Sequence, residues 1–119
     1  MSEADLARLL VECGAVELRA DPDDWFTWSS GKRAPIYCDN RLLLSFPSAR
    51  AQVADALCDA LAERFGAPEV IAGTATAGIP YAAWVAERMD LPMVYVRGSA
   101  KQHGQRAQLQ NNVYLGKKM

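Results

Sequence analysis

Two stretches of this 119-residue chain carry side chains suited to handling an anion. Thr74-Ala75-Thr76-Ala77-Gly78 follows a short apolar run, Glu69-Val70-Ile71-Ala72-Gly73, and leads into a helical pattern opened by Ile79-Pro80. Amides at a helix start lack intrahelical partners and bind phosphate oxygens, and small side chains let the anion come close. The stretch contains neither GxxxxGK(S/T) nor GxGxxG, and a tight strand-to-helix turn explains the same residues equally well. The second stretch follows Met93-Val94-Tyr95-Val96 and holds Arg97, Lys101, His103 and Arg106. A guanidinium, an ammonium and an imidazole at this spacing can reach one polyanion and neutralise charge that develops on a departing diphosphate. His103 is the one side chain there that titrates near neutral pH, so it can hydrogen-bond or pass a proton; a histidine in a surface loop is the plain alternative. His103 has no second His or Cys nearby, so no metal site is read from it. No Ser-His-Asp order or nucleophile elbow suggests acyl transfer.

A third cluster lies earlier. The aromatic run Trp25-Phe26-Thr27-Trp28 is followed by Ser29-Ser30-Gly31-Lys32-Arg33-Ala34-Pro35 and then by the short strand pattern Ile36-Tyr37-Cys38. A hairpin turn between two strands accounts for it. So does a lip over a ligand, because Ser hydroxyls, exposed amides and two bases converge there.

The elements that must hold these clusters follow from local patterns. Ser2-Glu3-Ala4-Asp5 is a capping box, and Leu6, Leu9, Leu10 and Cys13 recur on one helical face. Gly14 ends that helix. A short strand is expected over 15–19 and a turn at Asp21-Pro22-Asp23-Asp24. Pro47 sits in the first turn of a longer helix, in which Val53, Leu57, Leu61 and Phe65 recur at four-residue spacing, with Ala54, Ala60 and Ala62 alongside, until Gly66. Residues 69–96 then read as strand, loop, helix, strand, a βαβ crossover with parallel strands. Parallel topology puts the 74–78 turn and the 97–106 loop on the same sheet edge, where open α/β sheets bind ligands.

Length allows one domain, and an apolar share of 50% supports a core. No apolar run approaches a membrane span, and the acidic start lacks the basic region of a signal peptide. Cys13, Cys38 and Cys58 have no short spacing; Cys13 and Cys58 read as small core residues in a reducing cytoplasm. The net charge of −1 is unevenly spread. Residues 1–30 hold seven acids and two bases, and residues 97–119 hold five bases and no acid. A basic end can collect an anionic ligand, or it is a solvated face; five bases without a recognition motif are few for a nucleic-acid surface.

Three stretches in order give a resemblance. Phe26 through Arg41 resembles the N-terminal signature of the orotate phosphoribosyltransferase family. Residues 71–80, Ile-Ala-Gly-Thr-Ala-Thr-Ala-Gly-Ile-Pro, resemble its first strand and diphosphate loop. Val96-Arg97 through Lys101-Gln102-His103-Gly104 resembles its flexible catalytic loop. The resemblance implies an α/β fold: a partial Rossmann-like phosphoribosyltransferase domain with a parallel βαβ core. It divides into an N-terminal helix and orotate hood over 1–46, the α/β core over 47–96 and the flexible loop over 97–112. It also implies transfer of the 5-phosphoribosyl group of phosphoribosyl diphosphate (PRPP) to orotate. The products are orotidine 5'-phosphate and diphosphate, a step of pyrimidine nucleotide (UMP) synthesis, with Mg2+ bound alongside PRPP and no metal ligand from the chain.

By the same resemblance Arg97, Lys101 and His103 are the catalytic residues, reaching the partner's site across a homodimer. Thr74, Ala75, Thr76, Ala77 and Gly78 join them in holding PRPP and its diphosphate, with an unusual peptide around Ala75-Thr76. Ser30, Gly31, Lys32, Tyr37 and Cys38 form the hood over orotate, backed by Trp25, Phe26 and Trp28.

The chain departs from the family at Ser29, Ala77 and Gly98, where relatives carry bases, and Lys32, Arg33 and Arg106 are the available substitutes. The family's PRPP motif, a strand ending in two acids before a phosphate loop, would begin after Lys118. The chain is therefore expected to belong to a larger fold and, alone, to be inactive or nearly so, since remote phosphate binding drives such reactions. A non-catalytic remnant, serving assembly or RNA binding, is the alternative.

Overall fold

The computed structural model describes residues 1–98. They divide into two compact units, one of Met1–Val53 and one from Ala54 onward.

The first unit opens with α1, Glu3–Glu12. Its capping box forms as the sequence predicts: the Asp5 amide donates to Ser2 Oγ at 3.1 Å and the Ser2 amide to the Asp5 carboxylate at 3.2 Å. Hydrogen bonding to the Ser2 side chain, and then to its amide, holds the Asp5 carboxyl below its ordinary pKa. Gly14 takes φ 77°, where a side chain would be strained, and turns the chain into β1, Val16–Leu18. Pro22–Asp24 make a single 3-10 turn capped by Asp21. The strands β2 (Phe26–Thr27) and β3 (Arg33–Ala34) form an antiparallel hairpin, Phe26 opposite Ala34 and Thr27 opposite Arg33. A fourth strand, β4 (Ile36–Cys38), returns to pair antiparallel with β1, Leu18 opposite Ile36 and Glu17 opposite Tyr37. A 3-10 segment, Asn40–Ser45, follows; no periodicity in the sequence announces it. Ala15, Ala34, Leu43 and Ala49 are the buried apolar residues here.

Helix α2 runs Pro47–Phe65 and ends at Gly66, whose φ of 73° again needs glycine. Its buried side keeps Leu61 and the flanking Ala54 of the expected set but not Leu57 or Phe65. Leu57 and Phe65 are 39% and 65% exposed, whereas Ala54 is fully buried and Cys58 and Leu61 pack on the core. Each four-residue step rotates about 40° around a 3.6-residue helix, so Val53, Leu57, Leu61 and Phe65 cannot share one narrow face. The 54, 58, 61 set stays closer to one line.

In the second unit β5 (Ile71–Thr74), α3 (Gly78–Met89) and β6 (Met93–Val96) form the expected βαβ unit. The two strands are parallel, from Ile71 opposite Met93 to Thr74 opposite Val96. Ile71, Ala82, Val85 and Ala86 form the core, with Cys58, Leu61, Met89, Leu91 and Met93 packed around it. Arg88 Nε donates to Asp55 at 2.7 Å, tying α3 to α2. α3 ends at Asp90, in the left-handed region at φ 54°, with its amide bonded back to the last turn. The Leu91-Pro92 break expected from sequence comes just after it.

Candidate functional site

The sheet edge at the end of β5 and β6 is set by register. Because Thr74 lies opposite Val96, both strands finish together and their next residues, Ala75 and Arg97, emerge side by side. One further ladder-like bond, Ala75 N–H to the Val96 carbonyl at 2.8 Å, pins the start of the turn there. The Ala75–Thr76 peptide is cis, an unusual bond at the place the resemblance implied. The Thr76 carbonyl accepts from the Ile79 amide at 3.2 Å, and α3 begins at Gly78 with no side chain capping it. With the Ile79 amide so bonded and Pro80 lacking an N–H, the amides of Ala77 and Gly78 are those that a helix-start anion site would draw on.

Gly73 explains how close the turn lies to the helix. A Cβ built there would sit 2.6 Å from the Ala82 Cβ and 2.9 Å from the Gly78 carbonyl oxygen. The strand thus touches the first turns of α3 at a distance that only hydrogen permits. Gly78 is less constrained, since a Cβ there would meet Thr74 and Gly73 at ordinary contact, 3.7 and 3.8 Å.

Arg97 is partly buried, and its Nε has no hydrogen-bond partner among the described residues. A guanidinium offers five donors in a planar fork that matches phosphate oxygens. The structure thus brings Thr74–Gly78 and Arg97 to one edge. Lys101, His103 and Arg106 lie outside the described residues.

The hood residues belong to the first unit. Trp28 N–H donates to the Lys32 carbonyl and Gly31 N–H to the Trp28 carbonyl, each at 2.8 Å, and Gly31 takes φ 87°. The Lys32 amide reaches Ser30 Oγ at 3.4 Å. The segment is thus the tight hairpin turn that its residues suggested, with Ser30, Gly31 and Lys32 exposed. Trp28 Nε1 donates to the Ile36 carbonyl at 3.1 Å, fastening the turn to β4. Tyr37 is 43% exposed, and its ring stacks on Phe26 at 5.5 Å and 29°. Cys38 is exposed and its thiol meets Asn40 Oδ1 at 3.2 Å. Asp39 receives two bonds from the Arg41 side chain, at 2.8 and 2.9 Å. That pairing lowers the Asp39 pKa and raises that of Arg41.

Sequence reading gave no role to Arg19, whose guanidinium carbon lies 3.9 Å from the Phe26 ring centroid. Only the return of β4 against β1 makes that contact legible; no spacing within the chain signals it. Among the described residues no three His, Cys, Asp or Glu side chains are grouped to hold a metal. A magnesium ion that keeps its waters and binds through substrate phosphates needs no such group. No described helix is long and apolar enough to cross a membrane.

No family model matches the chain. Curated relatives do. An orotate phosphoribosyltransferase of Fusobacterium nucleatum subsp. nucleatum is 49% identical over 119 residues, covering all of this chain and 56% of the relative. One from Bacillus mycoides is 54% identical over 115 residues, covering 97% of this chain and 54% of the relative. The chain thus spans about half the length of the curated relatives it matches. Among solved structures, the orotate phosphoribosyltransferase of Aeropyrum pernix aligns with TM-score 0.72 at 37% identity, over 88% of this chain and 56% of that one. The UMP synthase of Leishmania donovani aligns with TM-score 0.75 at 29% identity, over 98% of this chain and 24% of that one. With the fold in agreement, the chain is similar along its whole length to orotate phosphoribosyltransferases and matches about half of theirs.

Proposed function

We propose that this chain carries the diphosphate-holding edge and the base-covering hood of an orotate phosphoribosyltransferase. The reaction joins N1 of orotate to C1 of the ribose of PRPP and breaks the bond from that carbon to the diphosphate oxygen. Orotidine 5'-phosphate and diphosphate leave, in the service of pyrimidine nucleotide synthesis in the cytoplasm.

The observation that carries the reading is the shared end of β5 and β6, where an uncapped helix start, a small-residue turn and Arg97 meet. The 74–78 turn takes diphosphate oxygens there through amides other than that of Ala75, which Val96 holds, and Arg97 takes the charge that grows as the diphosphate departs. Lys101 and His103 add to that charge stabilisation from the following loop, acting at the partner's site in a homodimer. Closure of that loop excludes water from an oxocarbenium-like ribose carbon that water would otherwise capture. Ser30, Gly31, Lys32, Tyr37 and Cys38 cover the orotate. Bound magnesium supplies charge neutralisation on the diphosphate through its phosphate oxygens.

The test is a titration of the chain with inorganic diphosphate and magnesium, followed by amide NMR. Shifts should concentrate on 74–78 and Arg97, and Arg97→Ala should weaken binding about 10-fold or more, the range for a lost charge-assisted bond. Shifts confined to other segments, or equal binding by the variant, refute the reading. In a transferase assay with PRPP, orotate and magnesium, the chain alone should form little or no orotidine 5'-phosphate. Robust turnover would show that the acidic pair and phosphate loop of the family are dispensable.

A further inference from the structure

The first unit contains an aromatic stack with a cation over one of its rings. Phe26 has two partners: the Tyr37 ring, stacked at 5.5 Å, and the Arg19 guanidinium, 3.9 Å from its centroid. Arg19 is itself braced. Its backbone amide donates to the Pro35 carbonyl at 2.8 Å, its Nη1 to the Asp24 carbonyl at 3.1 Å, and its Nε lies 3.8 Å from Glu17. Glu17 sits opposite Tyr37 in the β1–β4 ladder, so the same strand pair carries both Tyr37 and a brace on Arg19.

This arrangement restricts Tyr37 more than burial does, because the residue remains 43% exposed. An exposed tyrosine held only by its backbone would sample several rotamers. A ring stacked on Phe26, which is itself in contact with a braced guanidinium, is held nearer one orientation. Ring stacking and cation–π contact each favour the ordered arrangement.

We infer that Arg19, acting through Phe26, is a positioning residue that holds the Tyr37 ring ready for a flat, anionic heteroaromatic base. The inference rests on the orotate reading above and adds to it the group that orders the hood. Arg19 does not touch the base. It lowers the entropy that Tyr37 loses on binding, which is the physical content of preorganisation.

The experiment uses the 119-residue chain with tyrosine rings isotopically labelled, the Tyr37 signal being identified by its loss in Tyr37→Phe. Two readouts are taken: the displacement of the Tyr37 ring signal from that of free tyrosine, and the affinity for added orotate. Arg19→Met keeps the apolar stem and removes the cation. It should move the Tyr37 signal toward the free value and weaken orotate binding about two- to five-fold, the range for an exposed cation–π contact, with the unfolding midpoint close to wild type. Arg19→Lys, which restores a cation, should recover at least half of both effects.

Wild-type binding with no change in Arg19→Met overturns the inference and leaves the orotate reading standing. No rescue by lysine assigns the loss to packing and also overturns it. Absence of orotate binding to the wild-type chain fails the orotate reading, and the base-positioning role falls with it.

Discussion

Gly73→Ala tests whether close contact between β5 and α3 shapes the 74–78 turn. Gly73 does not occupy the left-handed region, so its backbone would accept alanine; the objection is space. The new Cβ would stand 2.6 Å from the Ala82 Cβ and 2.9 Å from the Gly78 carbonyl oxygen. Carbon atoms rest at about 3.5–4.0 Å, so strand and helix must part by about 1 Å. Neither neighbour can swing aside, one being a Cβ on the helix and the other its backbone. Overpacking of this kind costs about 1–3 kcal/mol, offset by about 0.4–1 kcal/mol from the stiffer unfolded chain.

A net loss of about 1–2 kcal/mol is expected, equivalent to a fall in Tm of roughly 4–8 °C per kcal/mol for a small domain. Thermal and urea unfolding followed by circular dichroism read it. Ala82→Gly removes the nearest clash, at a helix-propensity cost of about 1 kcal/mol. The double variant should therefore be more stable than the two single losses predict, by about 0.5–1 kcal/mol of coupling. Gly78→Ala is the control, because its Cβ would meet only ordinary contacts at 3.7 and 3.8 Å. An unchanged midpoint for Gly73→Ala, or a greater loss from Gly78→Ala, refutes the reasoning.

Three further outcomes are expected. Asp90 holds a left-handed conformation at the end of α3, so Asp90→Gly should raise stability by about 0.5–1 kcal/mol in urea unfolding. The Asp5 pKa is lowered in the folded chain by its bonds to Ser2, so its contribution is present above the unfolded carboxylate value and disappears as pH falls through the folded one. Asp5→Asn should therefore be less stable than wild type at pH 7 and equal to it near full protonation, giving a shallower acid-unfolding profile. Burial raises the Cys58 pKa, whereas Cys38 is exposed; alkylation followed by mass spectrometry should modify Cys38 first and Cys58 more slowly at pH 8.

The sequence by itself determined whatever is decided within a turn or two of the chain. The capping box at Ser2 and Asp5, the positive φ of Gly14 and Gly66 and the hairpin around Gly31 are of this kind. Each rests on one residue's allowed backbone or on a side chain reaching three residues away. The βαβ unit was equally legible, because two apolar runs flanking a helical pattern leave few other connections.

Tertiary structure decided the rest. Which side of α2 is buried depends on the surface it meets, and that surface selects Ala54, Cys58 and Leu61 over Leu57 and Phe65. The need for glycine at 73 comes from Ala82, nine residues on and across a turn. Arg19 reaches Phe26, and Phe26 reaches Tyr37, only because β4 returns to pair with β1. Contacts between residues far apart in the chain leave no periodic trace in it, since their partners are chosen by packing.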